Sequence, residues 1–142
     1  AAAILSLMEN QKLVAEGAGA VPVAAALFHK LPIEGKKVVC LISGGNIDVN
    51  ILNRVITRGL VMSGRKANLT IALEDKPGQL ERVAAIVSRC GSNVVSVLHD
   101  GSNMPISSCF LKLVLETRDH AQIEQIRQEL TKEGFQLVAE RV

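Results

Sequence analysis

Two short stretches hold residues whose types and spacing could do chemistry. In the first, Ser43, Gly44, Gly45 and Asn46 follow an apolar run, so the stretch opens like a phosphate-binding loop. No Walker lysine follows the glycines, however, and a dinucleotide loop would need a third glycine. In the second, Asp75, Pro77 and Gly78 stand just before a helical pattern that starts with Gln79 and Leu80. Gly78 has no Cβ, so a ligand can approach the backbone there. The first N–H groups of the following helix point outward, and a carboxylate placed on them gains about 0.3–1 kcal/mol when exposed. Asp75 could meet a ligand ammonium, or it could only order the turn. Asn93 offers both a donor and an acceptor. The bland readings stay open beside these: Gly78 and Asn93 also suit plain turns.

Nothing else in the chain assembles a nucleophile with a base. His99 and Asp100 are adjacent at the end of an apolar run, and a lone pair of this kind reads as surface polarity. The three cysteines, Cys40, Cys90 and Cys109, lie far apart, each in an apolar run, without metal-ligand spacing. They read as small buried hydrophobes in a reducing, cytoplasmic setting. A net charge of +2 over 142 residues, with no Lys/Arg block, gives no footprint for nucleic acid. With no Trp or Tyr and three Phe, a base-stacking surface is not expected. No apolar run approaches the roughly 20 residues of a membrane span.

The elements that must position these residues fall into two halves. In the first, residues 4, 5 and 8 share a helical face at a start that lacks Met, which reads as the end of a helix in a longer chain. The runs at 12–16 and 37–43 read as strands, the second apolar with Val38, Val39 and Ile42 β-branched, as in a parallel sheet buried on both faces. The Ala-rich stretch 20–30 reads as a helix with Pro22 in its first turn. Asp48 caps a further helix reaching about Ser63, with Ile51, Leu52, Val55 and Ile56 on its buried side. Residues 62–67 read as a short linker.

The second half has a different grammar. Leu69, Ile71 and Leu73 are spaced by two, as in a strand with one wet face. Leu80, Val83, Ala84 and Val87 then follow helical spacing to a stop near Gly91. Strands are expected over 93–100 and 107–117. Asp119 caps a helix with Ile123, Ile126 and Leu130 on one face, Gly134 stops it, and 135–141 forms a last strand. The order is β-α-β-β-α-β, a ferredoxin-like arrangement, so the fold class expected of the whole is α/β followed by α+β.

On the residues Asp75, Pro77, Gly78, Gln79 and Leu80, with Gly91 and Asn93, the second half (66–142) resembles the ACT domain, an amino-acid-sensing module. The resemblance implies that the 75–80 turn binds an amino-acid effector and that Asn93 helps hold its amino group, often across a subunit interface. It also implies that these domains pair side by side into a homo-oligomer. The first half (1–65), through the runs 15–27, 37–48 and 51–65, resembles the carboxyl end of the catalytic domain of threonine ammonia-lyases, pyridoxal-phosphate enzymes of the tryptophan-synthase-β type. That resemblance implies that Ser43 meets the pyridine nitrogen of the cofactor, that Gly44 and Gly45 let the backbone pass under the ring, and that Glu16 stands near its edge. The family's Schiff-base lysine and glycine-rich phosphate loop have no counterpart here, so the chain is expected to be a carboxyl-terminal piece, inactive alone. Isoleucine or valine is the effector expected of biosynthetic relatives; catabolic ones respond to other ligands or to none. The alternative is a free-standing amino-acid sensor with an α/β extension.

Overall fold

The structure, a computed structural model, describes residues 1–102, 105 and 107–138. The chain divides into two compact units, Ala1–Gly59 and Leu60–Val142.

The first unit is helical among the described residues. Helix α1 (Ala2–Ser6) runs on as a π-helical turn, Leu7–Gln11, and ends where Lys12 turns left-handed at φ 58°. Helix α2 (Val21–Leu27) carries Pro22 in its first turn, where the missing N–H is harmless. Helix α3 (Val49–Met62) starts under Asp48, whose carboxylate accepts from the N–H groups of Asn50 (2.8 Å) and Ile51 (3.2 Å). Its last turn, from Leu60, belongs to the second unit. A small core of Ala3, Ile4, Leu7, Ala15 and Ala20 is flanked by Ile42, Ile47, Leu52 and Val55. Ile51, expected inside, is instead 47% exposed.

The two strands expected here are not formed. Residues 12–16 and 37–43 are irregular, and Val39 and Leu41 are 95% and 76% exposed. No parallel sheet remnant exists among the described residues. The physical reason is that β propensity expresses packing and pairing with a neighbour rather than an intrinsic backbone preference. With no strand beside it in the unit, the β-branched run has nothing to pair with.

The second unit forms β1 (Lys66–Glu74), α4 (Gln79–Arg89), β2 (Asn93–Asp100), β3 (Ser108–Glu116), α5 (His120–Lys132) and β4 (Gln136–Val138). The strands make one antiparallel sheet in the order β2-β3-β1-β4. This is the expected β-α-β-β-α-β arrangement. The rest of the expected last strand lies outside the described residues. One sheet face is apolar in alternation, with Ala67, Leu69 and Ile71 of β1 and Leu111, Leu113 and Leu115 of β3 buried. Helices α4 and α5 cover that face through Val83, Ile86, Val87, Ile126 and Leu130. Leu80 and Ala84, placed inward by spacing, are exposed.

Residues 63–65 do not behave as a free linker. The Thr117 hydroxyl donates to the Gly64 carbonyl at 2.6 Å, and the Thr117 N–H donates to Arg65 at 3.0 Å. His120 Nε2 lies 3.1 Å from the Met62 carbonyl.

Candidate functional site

The β1–α4 turn is built by backbone. Asp75 donates its N–H to the Ser107 carbonyl at 2.9 Å, tying the turn to the approach to β3. Gly78 then takes φ +88°, which a β-carbon disfavours. A Cβ added there would meet nothing within 4 Å, so the glycine is needed for its conformation and not for close packing. Helix α4 starts immediately after it without a side-chain cap. Its first N–H groups have no intrahelical partner, as at any helix start, and no capping side chain accepts from them. Glu81 is the one acidic residue in that first turn.

Beside this terminus is a cavity of about 410 Å³, lined by Leu73, Asp75, Gly78, Leu80, His99 and Leu111 among others. Asp75, Pro77, Gly78, Gln79 and Leu80 all contribute to its wall. Leu80 is half exposed because it faces this cavity and not the core; Gln79 is buried. One wall is apolar, from Leu73, Leu80 and Leu111, and one is charged, with His99 Nε2 3.3 Å from Asp75 Oδ1.

His99 lines this cavity beside Asp75, although the sequence offers Asp100 as its neighbour. Along a strand, adjacent side chains point to opposite faces. His99 is in register with Leu111 on the helix-covered face, and Asp100 with Phe110 on the other. Asp100 binds Lys112 at 2.8 Å and accepts from the Ser102 N–H at 3.1 Å. The bond from Lys112, then those from Ser102, hold its carboxyl at about 2. Only their adjacency in an extended strand could have separated the two, because a bulge between Val94 and Ser96 breaks the period-two alternation of β2.

Asn93 does not join the others within one chain. Both β1 and β2 run antiparallel to β3, so they run parallel to each other. The 75–80 turn follows the end of β1, whereas Asn93 starts β2, eight residues long. At about 3.3 Å per residue the two ends are on the order of 20 Å apart. The Asn93 amide donates instead to Glu116 Oε2 at 3.0 Å.

In the first unit, Glu16 is brought to the glycine turn. Its N–H donates to the Gly44 carbonyl at 3.2 Å, and a Cβ on Gly44 (φ +84°) would come 2.6 Å from Glu16 Oε1. Gly45 lies against the Val14 carbonyl, and Gly19 against that of Ser43. The Ser43 side chain is exposed, and its hydroxyl makes no hydrogen bond among the described residues. A free hydroxyl over a turn without side chains fits the nitrogen edge of a pyridine ring. Groups to take such a cofactor's phosphate or aldehyde carbon are not part of this turn.

Over 137 residues the chain is 48% identical to L-threonine ammonia-lyase of Thermotoga maritima and 39% identical to that of Geobacter sulfurreducens, in each case covering 95% of this chain and 34% of the relative. The chain is homologous to L-threonine ammonia-lyases. It spans about a third of the length of these relatives. No protein-family model matches it. Among solved structures, the ACT domain from GTP pyrophosphokinase of Chlorobium tepidum superposes at a TM-score of 0.41 and 16% identity, over 51% of this chain and 96% of that one. That likeness is too slight to bear on function. Among the described residues no helix is long and apolar enough to cross a membrane.

Proposed function

We propose that the chain is the regulatory portion of a threonine ammonia-lyase, the enzyme that converts threonine to 2-oxobutanoate and ammonia. Its second unit binds an amino-acid effector and mediates association. The observation that carries this reading is the cavity at the 75–80 turn, where an uncapped helix terminus, a carboxylate and an apolar wall meet. The effector's carboxylate takes the free N–H groups of α4, its ammonium meets Asp75, and its side chain lies against Leu73, Leu80 and Leu111. An apolar wall favours a branched aliphatic side chain, isoleucine or valine, over a polar one.

Association explains how Asn93 could serve the same site. Strand β2 is an edge of the sheet, with Val95 and Leu98 about half exposed. Open edges invite pairing, and a two-fold axis makes it antiparallel. Antiparallel pairing through β2 brings the partner's Asn93 toward the His99 end of this chain's strand, next to the cavity.

In the first unit, Ser43 donates a hydrogen bond to the pyridine nitrogen of pyridoxal phosphate in the complete enzyme, with Glu16 at the ring edge. The cofactor, when bound, supplies the electron sink for loss of water. Neutral serine tempers that sink, because it donates a single hydrogen bond where an aspartate would hold the nitrogen protonated.

Calorimetric titration of the chain with isoleucine and valine, alongside light scattering, tests the regulatory reading. Saturable binding of either amino acid, coupled to a dimer, is expected. A strict monomer at micromolar concentration that binds no amino acid would overturn it. In the complete enzyme, Ser43→Ala should slow turnover with the fold intact, the hydrogen bond alone being worth about 1 kcal/mol. An unchanged rate would remove Ser43 from the cofactor.

A further inference from the structure

We infer that Asp75, His99 and Cys109 form a binding site for one divalent late first-row transition metal ion of the zinc type. The three side chains reach one place from three separate segments: the turn after β1, the penultimate residue of β2 and the second residue of β3. Their ligand atoms all lie within 4.8 Å of one another, and the His99–Asp75 separation is already 3.3 Å. Around a tetrahedral ion bound at about 2.0–2.3 Å, neighbouring ligand atoms stand roughly 3.3–3.8 Å apart. Closing the set therefore takes shifts on the order of 1 Å from side chains free to turn. Asp75 and His99 are both about half exposed and have that freedom.

The sheet explains the convergence. Cys109 is in register with Leu73, and His99 with Leu111. Residues 109 and 111 share a face, so the thiol and the imidazole stand on the same side of the sheet. The spacing of the cysteines could not show this, because the ligands are contributed by pairing between strands and not by one local motif.

The ligand chemistry selects the ion. A thiolate with an imidazole and one carboxylate suits zinc or cobalt, whereas magnesium and calcium call for oxygen sets. As the metal–sulfur bond forms, the Cys109 S–H proton leaves to solvent; nothing is oxidised or reduced. Three protein ligands leave one position of a tetrahedron for water or another ligand. Two of the three line the cavity at the α4 terminus, so that position opens beside it. The bound ion would pin the β1–α4 turn to the ends of β2 and β3. The ion and an effector ammonium would compete for Asp75; the metal site itself requires no amino acid, and its test contains none.

Cobalt titration of the reduced chain tests it. One equivalent should bind, with a thiolate-to-cobalt charge-transfer band and the intense visible absorption of four-coordinate cobalt, both abolished by added zinc. His99→Gln should weaken cobalt binding by at least about tenfold, and Cys109→Ala should remove the charge-transfer band. The double variant Cys40→Ala/Cys90→Ala should retain both signals. Should Cys109→Ala fail to fold, His99→Gln decides alone, since the side chain of His99 is 56% exposed. Absence of the charge-transfer band up to millimolar cobalt overturns the inference. So does a band that survives in His99→Gln at unchanged affinity, or one that is lost in the double cysteine variant.

Discussion

The two helices of the second unit begin in opposite ways. Helices α4 and α5 each follow a strand and cover the same sheet face. Helix α5 starts closed. Asp119 accepts from the Gln122 N–H at 2.8 Å, and Gln122 Oε1 accepts from the Arg118 N–H at 2.7 Å. The Gln122 amide then donates to the Cys90 carbonyl at 2.8 Å, so this terminus is tied into the core. Helix α4 starts open, on Gly78, with no side-chain cap and a cavity beside it. A cap satisfies the orphan N–H groups and adds stability. Leaving them unsatisfied makes sense where a ligand is to supply the missing acceptor. The difference between the two termini locates the proposed effector site better than the element order does.

The largest effect that could break this comparison is expected from Gly78→Val. A β-branched residue at φ +88° is strained by about 1–3 kcal/mol, and the turn must move to relieve it. Amino-acid binding should fall below detection by calorimetry, with a lower denaturation midpoint. Retained affinity would show that the open terminus is not the site. Asp75→Asn should cost about tenfold or more in affinity, as expected for a charged hydrogen bond of roughly 1.5–3 kcal/mol, with the fold unchanged. Binding that is indifferent to Asp75 would reassign the ammonium.

Asp119→Ala sharpens the contrast from the other side. Stability should fall by about 1 kcal/mol, the usual worth of a cap, while affinity for the effector stays within a factor of two (~0.4 kcal/mol by the usual conversion). Denaturant unfolding and calorimetry on one sample separate the two quantities. The smallest effect concerns the opposite sheet face. Asp100 has its carboxyl held at about 2 in the folded chain, against about 3.9 when unfolded. A depressed folded value means that its stabilising contribution is present above about pH 4 and is lost as pH falls through 2. Lys112→Met should raise the Asp100 value, read by carboxyl NMR, without altering effector affinity.

Elements and caps were largely legible because their causes are local. Alternation at 69, 71 and 73 marks β1, and Asp48 and Asp119 cap the helices that spacing placed after them. The 75–80 turn could be recognised because its glycine answers a local backbone demand. Residues 37–43 misled because a strand-like pattern is only half of a strand; the other half is a neighbour, and none pairs with it here. Leu80 misled because helical spacing tells which residues share a face and not whether the first turn of that face has reached the core.

The sequence by itself determined the order of elements in the second unit, the positive-φ glycine before α4 and the acid that closes α5, since each depends on residues within a few positions. Tertiary structure alone decided the groupings. It set Glu16 against Gly44, paired His99 with Asp75 instead of Asp100, brought Cys109 to the same place, and left Asn93 at the far end of β2. Strand register is a long-range choice: pairing residue 99 with 111 and 73 with 109 fixes which side chains share a face. No local pattern contains that choice, because the partners are joined only when the sheet closes.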